Sequence, residues 1–239
     1  MTQLAYIESP EVTTMATEIV AVEPVDGGVS VTLACTPFYP QGGGQPSDTG
    51  LIEGEGFTIA VRKATLEAGV VKHFGVLVQG EPRPGSVHAA IDGNRRHEHA
   101  RLHTGGHLIM TAMFELTGMR AVKGFHFPAG PYVEFDGTMP DQERVGLVDA
   151  LQERIDEMVD ADEEIEVELT TVSALRAAGV YMPAEIPADK PTRVVTTFGY
   201  RSPCGGTHVA RSGELAGLHV RSIKTKSGHT RISYEFPCA

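Results

Sequence analysis

Two short motifs, far apart in the chain, constrain this protein more than any other feature: His103-Thr-Gly-Gly-His107 and Cys204-Gly-Gly-Thr-His208. Together they offer three imidazoles and one thiol, a complete nitrogen and sulfur donor set for one tetrahedral zinc ion. On a helix, residues four apart share a face, so His103 and His107 can grip an ion from one side. The second pair must arrive from a distant segment, so a fold that uses both has to be built around that meeting. Each pair alone is a weak signal. A lone HxxxH is more often a core pair, and the glycines beside Cys204 can simply mark a turn. Zinc gains from the conjunction, with a core histidine pair and a redox or structural cysteine as the alternatives. There is no HExxH, which argues against a metalloprotease site.

A chain of 239 residues accommodates one large or two modest domains. No apolar run reaches the length of about 18 residues that a membrane span needs. The opening MTQLAYIESPEV has neither a basic start nor a long apolar core, so it does not read as a secretory signal. Three cysteines cannot all pair. With Cys204 assigned to zinc, Cys35 is expected in the core and Cys238 near the end is expected to be idle. Both are read as reduced thiols of a cytoplasmic protein.

The formal charge of −11 speaks at first against nucleic acid. Its distribution changes that reading. Asp141 to Glu168 is crowded with carboxylates, whereas Arg193, Arg201, Arg211, Arg221, Lys224, Lys226 and Arg231 face only Glu214. A second basic group, Arg95, Arg96 and Arg101, leads into the first histidine pair. These are either solvated faces or the border of a site for a polyanion.

Periodicity divides the chain near residue 92. In residues 1–92, Thr17–Glu23 and Gly28–Cys35 alternate apolar and polar residues around the turn Asp26-Gly27-Gly28. Gly56–Arg62, Gly69–Phe74 and Ser86–Ile91 follow as further strands, a spacing that predicts a small β-barrel. In residues 93–239 the reading is of helices packed on an antiparallel sheet, giving an α+β chain overall. Arg95–Leu116 reads as a helix carrying His103 and His107; Gly105 and Gly106 inside it cost about 1 kcal/mol each against alanine. They are tolerable where a backbone or substrate must come close. Ala121–Phe135 reads as strand, turn, strand. Asp141–Val159 reads as one helix capped by Asp141, with Val145, Val148, Leu151, Ile155, Met158 and Val159 on its apolar face. Ile165, Val167, Leu169 and Thr171 alternate as a strand, Ser173 can cap a short helix, and Val194–Phe198, Leu218–Lys226 and Thr230–Phe236 close the chain as strands.

A third motif is Phe38-Tyr-Pro-Gln-Gly-Gly-Gly-Gln-Pro-Ser-Asp-Thr-Gly50. Its glycines allow a sharp bend, but no Gly-Lys-Ser/Thr and no helix follow, so it is not a P-loop. It is either a hairpin tip or a loop that lays backbone and amide groups on a ligand.

Taken together, FYPxGGGQPxDTG, RxHTxxHL and CGGTHV followed by SGEL resemble the editing region of alanyl-tRNA synthetase and the free-standing AlaX trans-editing proteins. The resemblance runs from Phe38 to Tyr234, with the motifs in family order, and is nearest to the medium-length AlaX form. It implies an N-terminal barrel domain (1–92) bearing the GGGQ loop and a zinc-binding editing domain (93–239). It also implies a chain too short to include aminoacylation. The implied reaction is zinc-dependent hydrolysis of mischarged tRNA(Ala), Ser-tRNA(Ala) first and Gly-tRNA(Ala) second. The family's zinc ligands fall on His103, His107, Cys204 and His208. Thr104, Thr207 and His126 become candidates for the chemistry. Gly42, Gly43, Gly44, Gln45, Arg95, Arg96, Arg101, Lys123, Arg221, Lys224 and Lys226 become candidates for holding the aminoacylated tRNA. No obligate protein partner and no membrane are expected. The chain departs from the family where Gln-Lys-Gly-Ser is replaced by Val122-Lys-Gly-Phe125, and where both middle positions of the histidine motif are glycine. A hydrolase of other small esters or amides, and a tRNA-binding module with structural zinc, are the rival readings.

Overall fold

Residues 1–182 and 191–237 are described by the structure, a computed structural model. The chain forms two compact units, Met1–Glu98 and His99–Ala239.

The first unit begins with β1 (Gln3–Leu4) and a single helical turn, α1 (Ala5–Glu8). The alternating segments then become β2 (Thr14–Val25) and β3 (Gly28–Leu33), followed by the two-residue β4 (Cys35–Thr36), which pairs in parallel with β1. Next come β5 (Gly50–Gly54), β6 (Phe57–Glu67), β7 (Val70–Gln79) and β8 (Gly85–Ile91). Six of these close into a barrel in the order β2-β3-β7-β6-β5-β8. Closure leaves no free sheet edge. Alternate side chains point inward, so Ile19, Val31, Leu33, Ile52, Ile59, Val71 and Ala89 fill one core. The strand β5 went unread in the sequence because Gly50 and Gly54 frame only three ordinary residues. Cys35 sits half-buried in β4 rather than in that core.

The GGGQ segment is a closed turn. Gly42 and Gln45 exchange two backbone hydrogen bonds, and Gly43 and Gly44 between them hold φ of 54° and 79°. Consecutive positive φ is the signature of a primed hairpin turn, which glycine alone enters without strain. The Tyr39 hydroxyl donates to Gly42 O at 2.8 Å and fastens the tip. Gln45 is buried, so its amide is not presented outward.

The helix α2 (Gly93–Thr117) carries the boundary between the units after Glu98. Asp92 caps it: its Oδ1 accepts from Arg95 N at 3.1 Å. The second unit continues with β9 (Ala121–Phe125), β10 (Tyr132–Phe135), α3 (Asp141–Arg144), α4 (Leu147–Ala161), β11 (Glu166–Thr171) and α5 (Val172–Ala177). It ends with β12 (Pro191–Thr197), β13 (Tyr200–Pro203), a short 3-10 turn (Ser212–Leu215), β14 (His219–Lys226) and β15 (His229–Glu235). The architecture is α+β, with two antiparallel sheets where one was expected: β14-β15-β10-β9 and β11-β12-β13. Leu108, Ile109, Met113, Val133, Phe135, Leu151, Ile155, Ile232 and Tyr234 share its core.

Three local readings are corrected. The helix expected over Asp141–Val159 breaks at Val145-Gly146, where Gly146 takes φ of 80°, a conformation that ends a helix. Asp141 does not cap it, and Val145 lies 83% exposed. In β11 the alternation does not bury a face: Leu169 is 61% exposed. The cap of α5 is Thr171, whose side chain accepts from Ala174 N, rather than Ser173. Cys238 lies outside the described residues.

Candidate metal centre

The face of α2 that carries His103 and His107 is buried, and the loop after β13 brings Cys204 and His208 to it. Antiparallel pairing of β12 with β13 sets that loop: Val194 lies opposite Pro203, and Cys204 N donates to Arg193 O at 3.0 Å. The result is a cluster in which one ligand atom from each of His103, His107, Cys204 and His208 lies within 4.8 Å of the others. Cys204 Sγ stands 3.4 Å from His103 Nε2 and 3.3 Å from His208 Nε2. Tetrahedral zinc with bonds of about 2.0 Å to nitrogen and 2.3 Å to sulfur sets its donors roughly 3.3–3.6 Å apart, so these separations fit that ion. Nδ1 of His107 is buried without a hydrogen-bond partner, which is costly in a site meant to stay empty.

Electrostatics prepare the three imidazole donors. Burial holds His107 down to about 4 and His103 and His208 well below the usual imidazole value, so all three rings are neutral and able to donate a lone pair. Neighbouring imidazoles and the Arg193 guanidinium push His103 and His208 the same way. Burial raises the Cys204 thiol to about 11, opposed by a hydrogen bond from Gly206 N and by Arg193. Arg193 is itself buried and donates from Nη1 to Gly206 O at 3.1 Å, inside the CGGTH loop.

The supporting shell is specific. Thr104 Oγ1 donates to Ala100 O at 2.8 Å, accepts from Val209 N at 3.2 Å and lies 3.1 Å from His208 Nδ1. With proton and lone pairs so engaged, Thr104 supports a ligand and is not offered to a substrate. Thr207 is buried within the loop. The ring of His126 stacks on His103, with centroids 4.5 Å apart at 24°. Burial holds its pKa down to about 3. Its Nδ1 lies 2.6 Å from the Tyr234 hydroxyl, which donates to Leu102 O at 2.8 Å. Tyr234 was not singled out in the sequence, because only the pairing of β10 with β15 brings it beneath α2.

The basic residues divide sharply. Arg96 is a barrel residue: it is 5% exposed, its Nε donates to both oxygens of Asp48 at 3.1 and 3.0 Å, and its Nη2 also donates to Asp48. Its other donors reach Pro10 O and Pro37 O, so it is not presented to a polyanion. Arg101 donates to Glu214 O and Ala216 O, both at 2.9 Å, and lies over the Phe236 ring. Arg95 is half-buried. In the C-terminal stretch, Arg201, Arg211, Arg221 and Arg231 pair with Glu168, Asp162, Glu235 and Glu134. Lys123 on β9 and Lys224 and Lys226 on β14 remain exposed, on one four-stranded sheet. Gly42 and Gly43 lie at the exposed tip of the barrel turn, with Gly44 half-buried.

Comparisons with known proteins point to one group of enzymes. The family model described as tRNA synthetases class II (A) matches residues 6–95. Alanine–tRNA ligase of Arthrobacter sp. (strain FB24) is 30% identical over 213 residues, which is 85% of this chain and 23% of that protein. The alanine–tRNA ligase of Renibacterium salmoninarum is 33% identical over 82% of this chain and 22% of its own length. That of Haemophilus influenzae (strain PittGG) is 27% identical over 90% and 26%. The chain is a relative of the alanyl-tRNA synthetases. It spans about a quarter of the length of these relatives. Among the described residues, no helix is long and apolar enough to cross a membrane.

Proposed function

We propose that this protein hydrolyses the ester of mischarged tRNA(Ala), Ser-tRNA(Ala) first and Gly-tRNA(Ala) second. The observation that carries the reading is the convergence of His103, His107, Cys204 and His208 in a relative of the alanine–tRNA ligases. A pocket that accepts alanine cannot strongly reject an analogue that adds one hydroxyl; discrimination by binding stalls at about a hundredfold, and a second, hydrolytic site is the physical remedy. We read the barrel with its GGGQ turn as one domain and the unit holding the cluster as the editing domain.

In this reading His103, His107, Cys204 and His208 hold zinc. When bound, zinc polarises a carbonyl and lowers the pKa of water towards neutrality. The chain's own residues supply the rest. Thr104 keeps His208 turned towards the cluster, Arg193 ties down the CGGTH loop, and Lys123, Lys224 and Lys226 offer exposed cations to tRNA phosphates. The closed four-donor set also favours a second reading, in which zinc is structural and the module binds charged tRNA without cleaving it.

Purified protein offered Ser-tRNA(Ala), Gly-tRNA(Ala) and Ala-tRNA(Ala), with and without chelator, tests both. Release of serine well above the blank, abolished by chelation while the fold persists, supports hydrolysis. Binding of charged tRNA with no release supports the structural reading. Cleavage of simple amino-acid esters as fast as of charged tRNA supports a small-ester hydrolase.

A further inference from the structure

His126 occupies a space made for it. A Cβ on Gly106 of α2 would come within 2.4 Å of its Cε1, and a Cβ on Gly124 of β9 within 2.3 Å of its Nε2. Neither approach is possible for a real side chain, so the imidazole lies against bare backbone on helix and strand. Gly106 is one of the two middle positions of the histidine motif, so that departure in the sequence meets this ring.

The hydrogen bonds settle which nitrogen carries the proton. The Tyr234 hydroxyl has one proton and gives it to Leu102 O, a pure acceptor. Its contact with His126 Nδ1 at 2.6 Å is then donation from Nδ1–H. That leaves Nε2 as a lone pair. Among the described residues no hydrogen bond to Nε2 is formed, and the residue is only 3% exposed. The ring also stacks on His103. A fixed acceptor without a donor therefore lies beside the ligand cluster.

We infer that His126 Nε2 accepts the β-hydroxyl of a seryl group and makes serine the preferred substrate. The inference rests on the hydrolysis reading above. Seryl and alanyl esters on the same tRNA share the ester, the α-ammonium and every nucleotide; they differ in one hydroxyl. An acceptor that a hydroxyl satisfies is left bare by alanine or glycine, and sites built to pair a substrate hydroxyl reject its absence far more strongly than apolar pockets do. Thr104, beside the cluster, already spends its proton on Ala100 O.

The test compares His126→Phe, which keeps a flat ring against His103 and removes the acceptor, with His126→Gln, which restores an oxygen. On Ser-tRNA(Ala), His126→Phe is expected to lower kcat/KM about 10- to 100-fold, the worth of one hydrogen bond to a substrate, with His126→Gln recovering part of it. The preference for Ser-tRNA(Ala) over Ala-tRNA(Ala) and Gly-tRNA(Ala) should shrink by the same factor. A fall of equal size on all three, or no fall on Ser-tRNA(Ala), overturns the inference. Two further readouts do not depend on turnover. Nitrogen-15 NMR should show His126 protonated at Nδ1 and bare at Nε2, and Nε2-protonated ring signals would overturn the assignment. Non-hydrolysable seryl and alanyl amides of 3′-amino-3′-deoxyadenosine should bind the zinc-loaded wild type in the order seryl over alanyl, and His126→Phe with no preference. If the wild type deacylates none of the tRNAs, the hydrolysis reading fails. The amide-binding comparison then decides the role of His126, and equal binding of both amides by the wild type refutes it.

Discussion

The hydroxyl of Thr104 decides which nitrogen of His208 faces Cys204. Its proton goes to Ala100 O, so its contact with His208 Nδ1 at 3.1 Å is donation from the ring. With the ring proton on Nδ1, the Nε2 lone pair is the one turned to Cys204 Sγ, 3.3 Å away. A second bond, from Val209 N at 3.2 Å, places the residue after His208 with the same oxygen. One threonine on α2 thus sets both the tautomer and the position of a ligand on another segment.

Thr104→Val removes that oxygen and keeps the shape. Outer partners of metal-bound histidines are worth about 10- to 100-fold in affinity, so zinc affinity should fall by that range. Stability of the metal-free protein should fall by about 1–3 kcal/mol, because Val209 N and His208 Nδ1 lose an acceptor. Thr104→Ser should restore most of both. Competition with a chromophoric chelator measures the first, and urea unfolding the second. A valine variant that binds zinc like the wild type refutes this role for Thr104.

The pattern of what could be read in the sequence follows from range. His103 and His107 lie one helical turn apart, and Cys204 and His208 lie in one glycine-lined loop, so local spacing displays them. Barrel strands such as β2 and β3 announce themselves by alternation across a tight turn. Arg96 misleads because a cation looks the same in sequence whether it meets phosphate or a carboxylate buried beneath it; Asp48, its partner, stands 48 positions earlier. The supporting roles of Thr104 and Tyr234 depend on contacts 104 and 108 positions away, which no local pattern encodes. Val145 fits the apolar period of its helix, yet Gly146 beside it breaks the helix before that period can be used.

Arg96 and Asp48 make a buried pair whose loss should unfold the barrel. Both side chains are almost fully covered, and the guanidinium also holds Pro10 O and Pro37 O. Removing one partner of such a pair typically costs about 3–5 kcal/mol, because the other charge stays buried. Arg96→Met should therefore lower barrel stability by that amount. Arg96→Lys should rescue little, since an ammonium cannot fork to several acceptors. The loss should persist in high salt, which screens exposed pairs but not buried ones. Unfolding followed by amide exchange in β3 and β7 reads it out; a loss under about 1 kcal/mol would place the pair among weak surface bridges.

His73 gives the barrel an acid limit of its own. Its Nε2 lies 2.7 Å from Thr36 Oγ1 and its Nδ1 3.0 Å from Val31 O, inside the closed sheet. Burial holds its pKa down to about 4, with the bond to Val31 opposing. Unfolded, it takes up a proton near 6.5, so between pH 6.5 and 4 the unfolded chain binds more protons than the folded one. Stability is then fully present above pH 6.5 and falls as pH drops towards 4, by about 3 kcal/mol in all for this group. His73→Leu should be less stable at pH 7 but lose less on acidification. Urea midpoints across that window, followed by amides of β7, give the slope; an unchanged slope would remove His73 as its cause.

Gly106 and His126 should behave as one unit under mutation. At an exposed helical site, Gly→Ala gains about 1 kcal/mol. At Gly106 the new methyl would lie 2.4 Å from His126 Cε1 and 3.1 Å from the Tyr234 hydroxyl. Gly106→Ala alone should therefore destabilise by about 1–3 kcal/mol through overpacking. It should also push the imidazole off His103 and away from Tyr234. In a His126→Ala background the methyl loses its two shortest contacts and keeps only that to the Tyr234 hydroxyl at 3.1 Å. There it should become neutral or stabilising by about 1 kcal/mol as its helix propensity is felt. The double-mutant cycle on urea unfolding should thus show a coupling of at least about 1 kcal/mol, the size expected of residues in direct contact. Additive effects would mean that the helix yields around His126 instead of being fitted to it.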